Sequence, residues 1–144
     1  MKLIVINGPN LNLLGKRDPE KYGHLSLEKI ENILTSTFPE ITFEFFQSNH
    51  EGELVSKIQL AESGYDGLII NPGGYSHTSV AIHDALVECK LPKVEVHLSH
   101  LAQREDFRQT MITARAANGY ISGFKELGYL SAVFTIQQIL KKSV

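Results

Sequence analysis

The stretch Leu3-Ile4-Val5-Ile6-Asn7-Gly8-Pro9-Asn10-Leu11-Asn12-Leu13-Leu14-Gly15-Lys16-Arg17-Asp18-Pro19-Glu20-Lys21-Tyr22-Gly23 opens with an apolar run that reads as a buried strand and leads into an amphipathic segment that reads as a helix. A strand-to-helix connection in an α/β unit takes about 2–6 residues, and much longer ones carry function or are disordered. This one is several times that length. It carries three side-chain amides, a guanidinium and a phenol, punctuated by Gly8, Gly15, Gly23, Pro9 and Pro19. The loop reads as a working part.

The same alternation continues outward from it. Ser26 is placed to cap a helix from Leu27 to about Thr37, with Leu27, Ile30, Ile33 and Leu34 on one face and Pro39 as the stop. Ile41 to Phe46 is β-rich. Ser48-Asn49-His50-Glu51 has capping-box spacing for a second helix running to about Ser63. Gly67-Leu68-Ile69-Ile70-Asn71 is an unbroken apolar run, as a strand buried on both faces requires. A loop from Pro72 to Thr78 precedes a helix from Ser79 to Cys89. Lys93 to His97 reads as a fourth strand, Leu98 to Ala116 as a polar irregular segment, Gly119 to Gly123 as a short fifth strand, and Lys125 to Lys141 as a closing helix.

Strands alternating with helices imply a parallel sheet covered on both faces and joined by right-handed crossovers. Five such units in 144 residues predict one domain, spanning 1–144, of flavodoxin-like α/β fold: a doubly wound five-stranded parallel sheet with helices on both faces. Strand order itself is not readable. Ligands of such folds bind outside the carboxyl ends of the strands. The loops after Ile6, Ile70 and Val96 emerge at that edge, which gathers Asn10, Arg17 and Tyr22 with Asn71, His77, His97 and Ser99.

Composition narrows the partners. A net charge of -2 gives no broad basic field for nucleic acid. The single Cys89 excludes an internal disulfide and fits a reducing compartment. Met1-Lys2 runs straight into a short apolar strand, too brief for a signal peptide or a membrane span, so a cytoplasmic protein is expected. Tyr120, Phe124, Tyr129 and Leu130 leave an apolar surplus near the C-terminal end, to be used as interface or as core.

Several common α/β chemistries lack their residues. There is no G-x-G-x-x-G turn, Walker loop or G-x-S-x-G elbow. His77, His83, His97 and His100 lack a helical H-x-x-x-H or a Cys pair, so no metal is expected. Cys89 reads as packing. What remains is a phenol, a cation, a histidine with an acid two residues before it, and neutral amides. A tyrosine acts as a base only when ionised, which costs about 4 kcal/mol at neutral pH. A guanidinium in contact offsets part of that, and Arg17 lies in the same loop as Tyr22. Glu95 and His97 are alternate residues of one strand and share a face, so the carboxylate can orient the imidazole as a proton donor. The alternatives for these pairs are a surface arginine beside a packed tyrosine, and a core histidine satisfied by a buried acid.

At this point the chain resembles the type II 3-dehydroquinate dehydratases. The matching stretches are Asn7-Gly-Pro-Asn-Leu-Asn, Leu14-Gly-Lys-Arg-Asp-Pro with Tyr22-Gly23, Gln47-Ser-Asn-His-Glu-Gly52, Asn71-Pro-Gly-Gly-Tyr-Ser-His-Thr-Ser-Val-Ala81, Glu95-Val-His-Leu-Ser99 and Arg104-Glu-Asp-Phe-Arg108. The resemblance implies a shikimate-pathway hydro-lyase that converts 3-dehydroquinate to 3-dehydroshikimate by anti elimination through an enolate, without metal or cofactor. It implies Tyr22 as base with Arg17 lowering its pKa, Asn10 holding a water at the enolate oxygen, and His97 as acid oriented by Glu95. It further implies Asn71 with the amides of Leu98 and Ser99 on the substrate carboxylate, His77 and Arg108 on the ring hydroxyls, and Asp84 reaching a neighbouring subunit's site. Gly15 to His24 is expected to act as a mobile lid, and the assembly is expected to be a homododecamer built from trimers. His100, Gly74, His83 and Gln109-Thr110-Met111 depart from the family pattern without touching these roles. The competing classes are a non-enzymatic module that binds a polyhydroxy acid, and a flavin-bearing flavodoxin. Aromatic biosynthesis and quinate breakdown share the same chemistry and are not distinguished.

Overall fold

The computed structural model describes residues 1–16, 18–22 and 24–143, without the side chains of Pro19 and Tyr22. In chain order its strands and α-helices are β1 (Lys2–Asn7), α1 (Pro19–Tyr22), α2 (Leu27–Thr37), β2 (Thr42–Gln47), α3 (Glu51–Ala61), β3 (Gly67–Asn71), α4 (Val80–Glu88), β4 (Lys93–His97), β5 (Gly119–Ser122) and α5 (Leu127–Lys142). The strands form one parallel sheet in the order β2-β1-β3-β4-β5. That is the flavodoxin-like doubly wound order, whose switch point lies between β1 and β3.

Alternation along the strands divides the core. Leu3 and Val5 of β1, Ile69 of β3 and Val94 and Val96 of β4 pack against Ile30 and Leu34 of α2 and Tyr129, Ala132, Val133 and Ile136 of α5. Ile4, Ile6, Leu68 and Ile70 point the other way, onto Leu54 and Ile58 of α3 and Ile82 and Leu86 of α4, with buried Cys89 among them. A side-chain period of two against helices on both faces requires this division. Tyr129 belongs to the core, whereas Tyr120 and Phe124 are exposed.

The helix ends follow local chemistry. Ser26 Oγ accepts the N–H of Lys29 and caps α2, and Ser79 Oγ does the same for Ile82 in α4. The capping box expected at Ser48 takes another form. Ser48 Oγ accepts the N–H of His50 and donates to Glu53 rather than pairing with Glu51, and α3 ends at Ala61 rather than Ser63. The closing helix begins at Leu127 and not at Lys125, because Lys125 has a left-handed φ of 51° and its N–H is taken by the carbonyl of Leu98. The segment after β4 folds as three 3-10 turns, Leu101–Gln103, Asp106–Gln109 and Thr113–Ala116. Gln109 Nε2 ties the first two together through the carbonyls of Leu101 and Arg104.

Candidate active site

The loops after β1, β3 and β4 meet at the carboxyl edge of the sheet, and glycine lets the first two touch. A Cβ on Gly8 would overlap the carbonyl of Pro72, and one on Gly73 would stand 2.9 Å from the carbonyl of Pro9. Gly73 also needs its left-handed φ of 61°. Between these loops and the segment after β4 lies a crevice of about 550 Å³, counting space open to solvent. Asn10, Asn71, His77, His97, Leu98, Ser99, Arg104 and Arg108 line it. A crevice of this size accommodates a small molecule.

Glu95 and His97 form a hydrogen-bonded pair at its wall. Both are buried, and Oε2 of Glu95 lies 2.7 Å from Nε2 of His97. The carboxylate has further donors in Ser76 Oγ at 2.9 Å and Thr113 Oγ1 at 2.5 Å. Three donors on two oxygens satisfy an acid that is wholly buried, as a charge in such a place requires. With Nε2–H committed to Glu95, Nδ1 is the ring nitrogen available for proton exchange with a molecule in the crevice.

His77 sits beside this pair, with ring centroids 6.2 Å apart. Its Nδ1–H donates to the carbonyl of Thr110 at 2.9 Å. Burial, reinforced by His97 and Arg108, holds His77 below the ordinary histidine range, against the opposing Thr110 carbonyl and Glu95. The neutral tautomer this favours keeps a lone pair on Nε2 for a hydroxyl donor.

On the other side, Asn71 Oδ1 accepts the N–H of Gly73 at 3.1 Å and its Nδ2 donates to Tyr129 Oη at 3.2 Å. Arg104 Nη1 donates to Ser99 Oγ at 3.2 Å, and Arg108 Nε donates to Glu105 at 2.6 Å. Asn10 has a left-handed φ of 69°, and its N–H is received by Asn49 Oδ1 at 3.0 Å. Gln47 Nε2 reaches both Asn49 Oδ1 and the carbonyl of Gly8, each at 3.1 Å. The stretch from Gln47 to Asn49 therefore braces the first loop from β2.

Of the residues expected from the sequence, Asn10, Asn71, His77, His97, Leu98, Ser99 and Arg108 come together around the crevice, with Glu95 directly behind His97. Asp84 does not. It is exposed on α4, and Oδ1 lies 3.0 Å from Nδ1 of His83. Arg17, Gly23 and the Tyr22 side chain, and with them the expected base, its cation and part of the expected lid, lie outside the described residues. Ser76, Thr113, Asn49 and Tyr129, which join or brace the site, carry no site role legible in the sequence. The one available signal was that Ser76 and Asn49 fall inside stretches that match the family. Among the described residues, no group of three or more His, Cys, Asp or Glu side chains is placed to hold a metal ion. No described helix is long and apolar enough to cross a membrane.

A doubly wound sheet with a carboxylate–histidine pair, two arginines and a fixed amide around one crevice defines an α/β protein equipped for acid–base chemistry on a small polar molecule. Residues 1–137 match the family described as Dehydroquinase class II. The 3-dehydroquinate dehydratase of Campylobacter hominis is 48% identical over 144 residues, covering 99% of this chain and 93% of its own length. The type II dehydroquinase structure from Butyrivibrio crossotus aligns with a TM-score of 0.92 at 43% identity, covering 95% of this chain and 97% of the other. That from Propionibacterium acnes aligns at 0.88 and 33% identity, covering 94% and 96%. The chain belongs to the class II dehydroquinase family.

Proposed function

We propose that the chain is a hydro-lyase of the shikimate pathway that converts 3-dehydroquinate to 3-dehydroshikimate and water. The reading is carried by the buried Glu95–His97 pair at the edge of a crevice whose other walls offer Asn71 and the segment Leu98–Ser99. In the proposed mechanism the Tyr22 phenolate, stabilised by Arg17, removes the proton at C2, and the electron pair forms an enolate. Asn10 holds a water against the enolate oxygen, a stabilisation of the oxyanion-hole type. The enolate then collapses to the conjugated enone as the C1 hydroxyl leaves. Protonated His97, held by Glu95, gives that hydroxyl its proton through Nδ1 and so releases water. Proton return from the Tyr22 hydroxyl to His97 through solvent closes the cycle.

Asn71, with one Nδ2–H remaining after its bond to Tyr129, and the backbone amides of Leu98 and Ser99 receive the carboxylate. The neutral His77 and Arg108 receive the ring hydroxyls. No metal or cofactor takes part, since proton transfers alone complete the elimination. The proposal takes residues 1–144 as one catalytic domain, cytoplasmic, with no nucleic acid or membrane partner. It includes self-association as a homododecamer in which Asp84, exposed on α4, serves a neighbouring protomer's site.

The test is to mix the protein with 3-dehydroquinate and follow the ultraviolet absorbance of the conjugated product. A rise is expected, and none above buffer at high protein concentration rejects the reading. Tyr22→Phe is expected to abolish turnover while leaving quinate binding nearly intact. Unaltered turnover in that variant removes Tyr22 as the base.

A further inference from the structure

Tyr129 is fully buried, yet it carries a hydroxyl into the core. Its closest helix neighbours, Ala132 and Val133, are apolar, and packing alone is served equally by phenylalanine. The hydroxyl has two partners, both asparagines at the carboxyl ends of adjacent strands. Tyr129 Oη donates to Asn7 Oδ1 at 2.6 Å, and Asn71 Nδ2 donates to Tyr129 Oη at 3.2 Å. Asn7 and Asn71 are register partners across β1 and β3, so the phenol bridges the switch point from beneath.

The direction of the chain of bonds is anchored at the N–H of Gly73, which can only donate and so takes the carbonyl of Asn71. The Tyr129 hydrogen goes to Asn7, an acceptor oxygen, and leaves the Tyr129 oxygen free to accept only. Asn71, its carbonyl held by Gly73, turns its NH2 toward Tyr129, whose oxygen holds it there as acceptor. The second Nδ2–H of Asn71 remains for the crevice.

We propose that Tyr129 is a positioning residue for substrate binding, which together with the N–H of Gly73 holds the Asn71 amide so that it presents a donor and not an acceptor to a substrate carboxylate. The inference rests on the dehydratase reading of the crevice and adds to it a residue of the closing helix that touches no substrate.

The test is a cycle of Tyr129→Phe, Asn71→Ala and the double variant in the full chain. Tyr129→Phe is expected to raise KM for 3-dehydroquinate about two- to tenfold, the range of one hydrogen bond's net worth. Its kcat stays within about twofold, the pattern of lost uniform binding. In the Asn71→Ala background the same change is expected to have no further effect on KM, because the residue acts through Asn71. An unchanged KM in Tyr129→Phe, or equal rises in both backgrounds, overturns the proposal. Asn7→Ala removes the acceptor and spares the phenol's packing, and a KM that does not rise in that variant also counts against it. Quinate affinity, measured by calorimetry, is expected to follow the same pattern without requiring turnover. Tyr129-dependent quinate binding in a chain with no dehydratase activity therefore rejects the proposed reaction alone. Turnover indifferent to Tyr129 rejects this inference alone.

Discussion

Nε2 of His97 lies 2.7 Å from Oε2 of Glu95, two residues earlier on the same strand, and the carboxylate receives Ser76 and Thr113 as well. Glu95→Gln keeps the shape but leaves one acceptor oxygen for three donors, with an NH2 facing a donor in the core. One unsatisfied buried donor costs about 1–3 kcal/mol. Because the imidazole loses its charged partner, kcat is expected to fall by about 10²–10⁴, the range a positioned acid supplies. Steady-state kinetics and a thermal melt check both. A folded variant with nearly full kcat removes Glu95 from the chemistry.

The alternation that put Glu95 and His97 on one face was legible because a strand repeats every two residues. The gathering of Asn10, Asn71, His77 and Ser99 was legible because the strands run parallel and their loops exit at one edge. The partners of those residues were not. Thr113 reaches Glu95 from a turn that looked like featureless polar chain, and Tyr129 occupies an ordinary core position of an amphipathic helix. Such contacts join distant segments, and no local period encodes them. The start of α5 was misplaced for a local reason, since a left-handed lysine carries no sequence signature.

Gly8 shows how closely the first two loops are fitted. Gly8→Ala puts a methyl group into the Pro72 carbonyl, which belongs to backbone and cannot rotate away. The N–H of Gly8 also donates to the carbonyl of Asn71 at 2.7 Å, so any retreat stretches that bond. A loss of about 1–3 kcal/mol is expected, the usual cost of overpacking, together with a higher KM as the two walls separate. Urea unfolding and steady-state kinetics measure these, and a midpoint equal to wild type shows that the contact relaxes freely.

His77 gives stability a pH dependence of defined sign. Burial, then His97 and Arg108, depress its folded pKa from the ordinary 6.5. On acidification the unfolded chain therefore takes up this proton first. The contribution is fully present above about 6.5. It declines as pH falls through that value and levels off only beneath the folded one. His77→Asn removes the dependence. The stability of wild type minus that of the variant is expected to shrink from pH 7.5 to pH 5 in urea titrations, and a difference that grows on acidification reverses the assignment.

Asn49 tests whether the brace on the first loop matters to the reaction. Its Oδ1 accepts the N–H of Asn10 and a hydrogen of Gln47, at a residue whose left-handed backbone sets the direction of the Asn10 side chain. These bonds are exposed, so Asn49→Ala is expected to move the thermal midpoint little. Asn10 loses its fixed placement, and kcat/KM is expected to fall about tenfold, equivalent to about 1.4 kcal/mol of transition-state stabilisation. Asn49→Asp keeps the accepting oxygen and is expected to recover most of that loss. Equal losses in the alanine and aspartate variants show instead that the amide nitrogen of Asn49 is what the reaction needs.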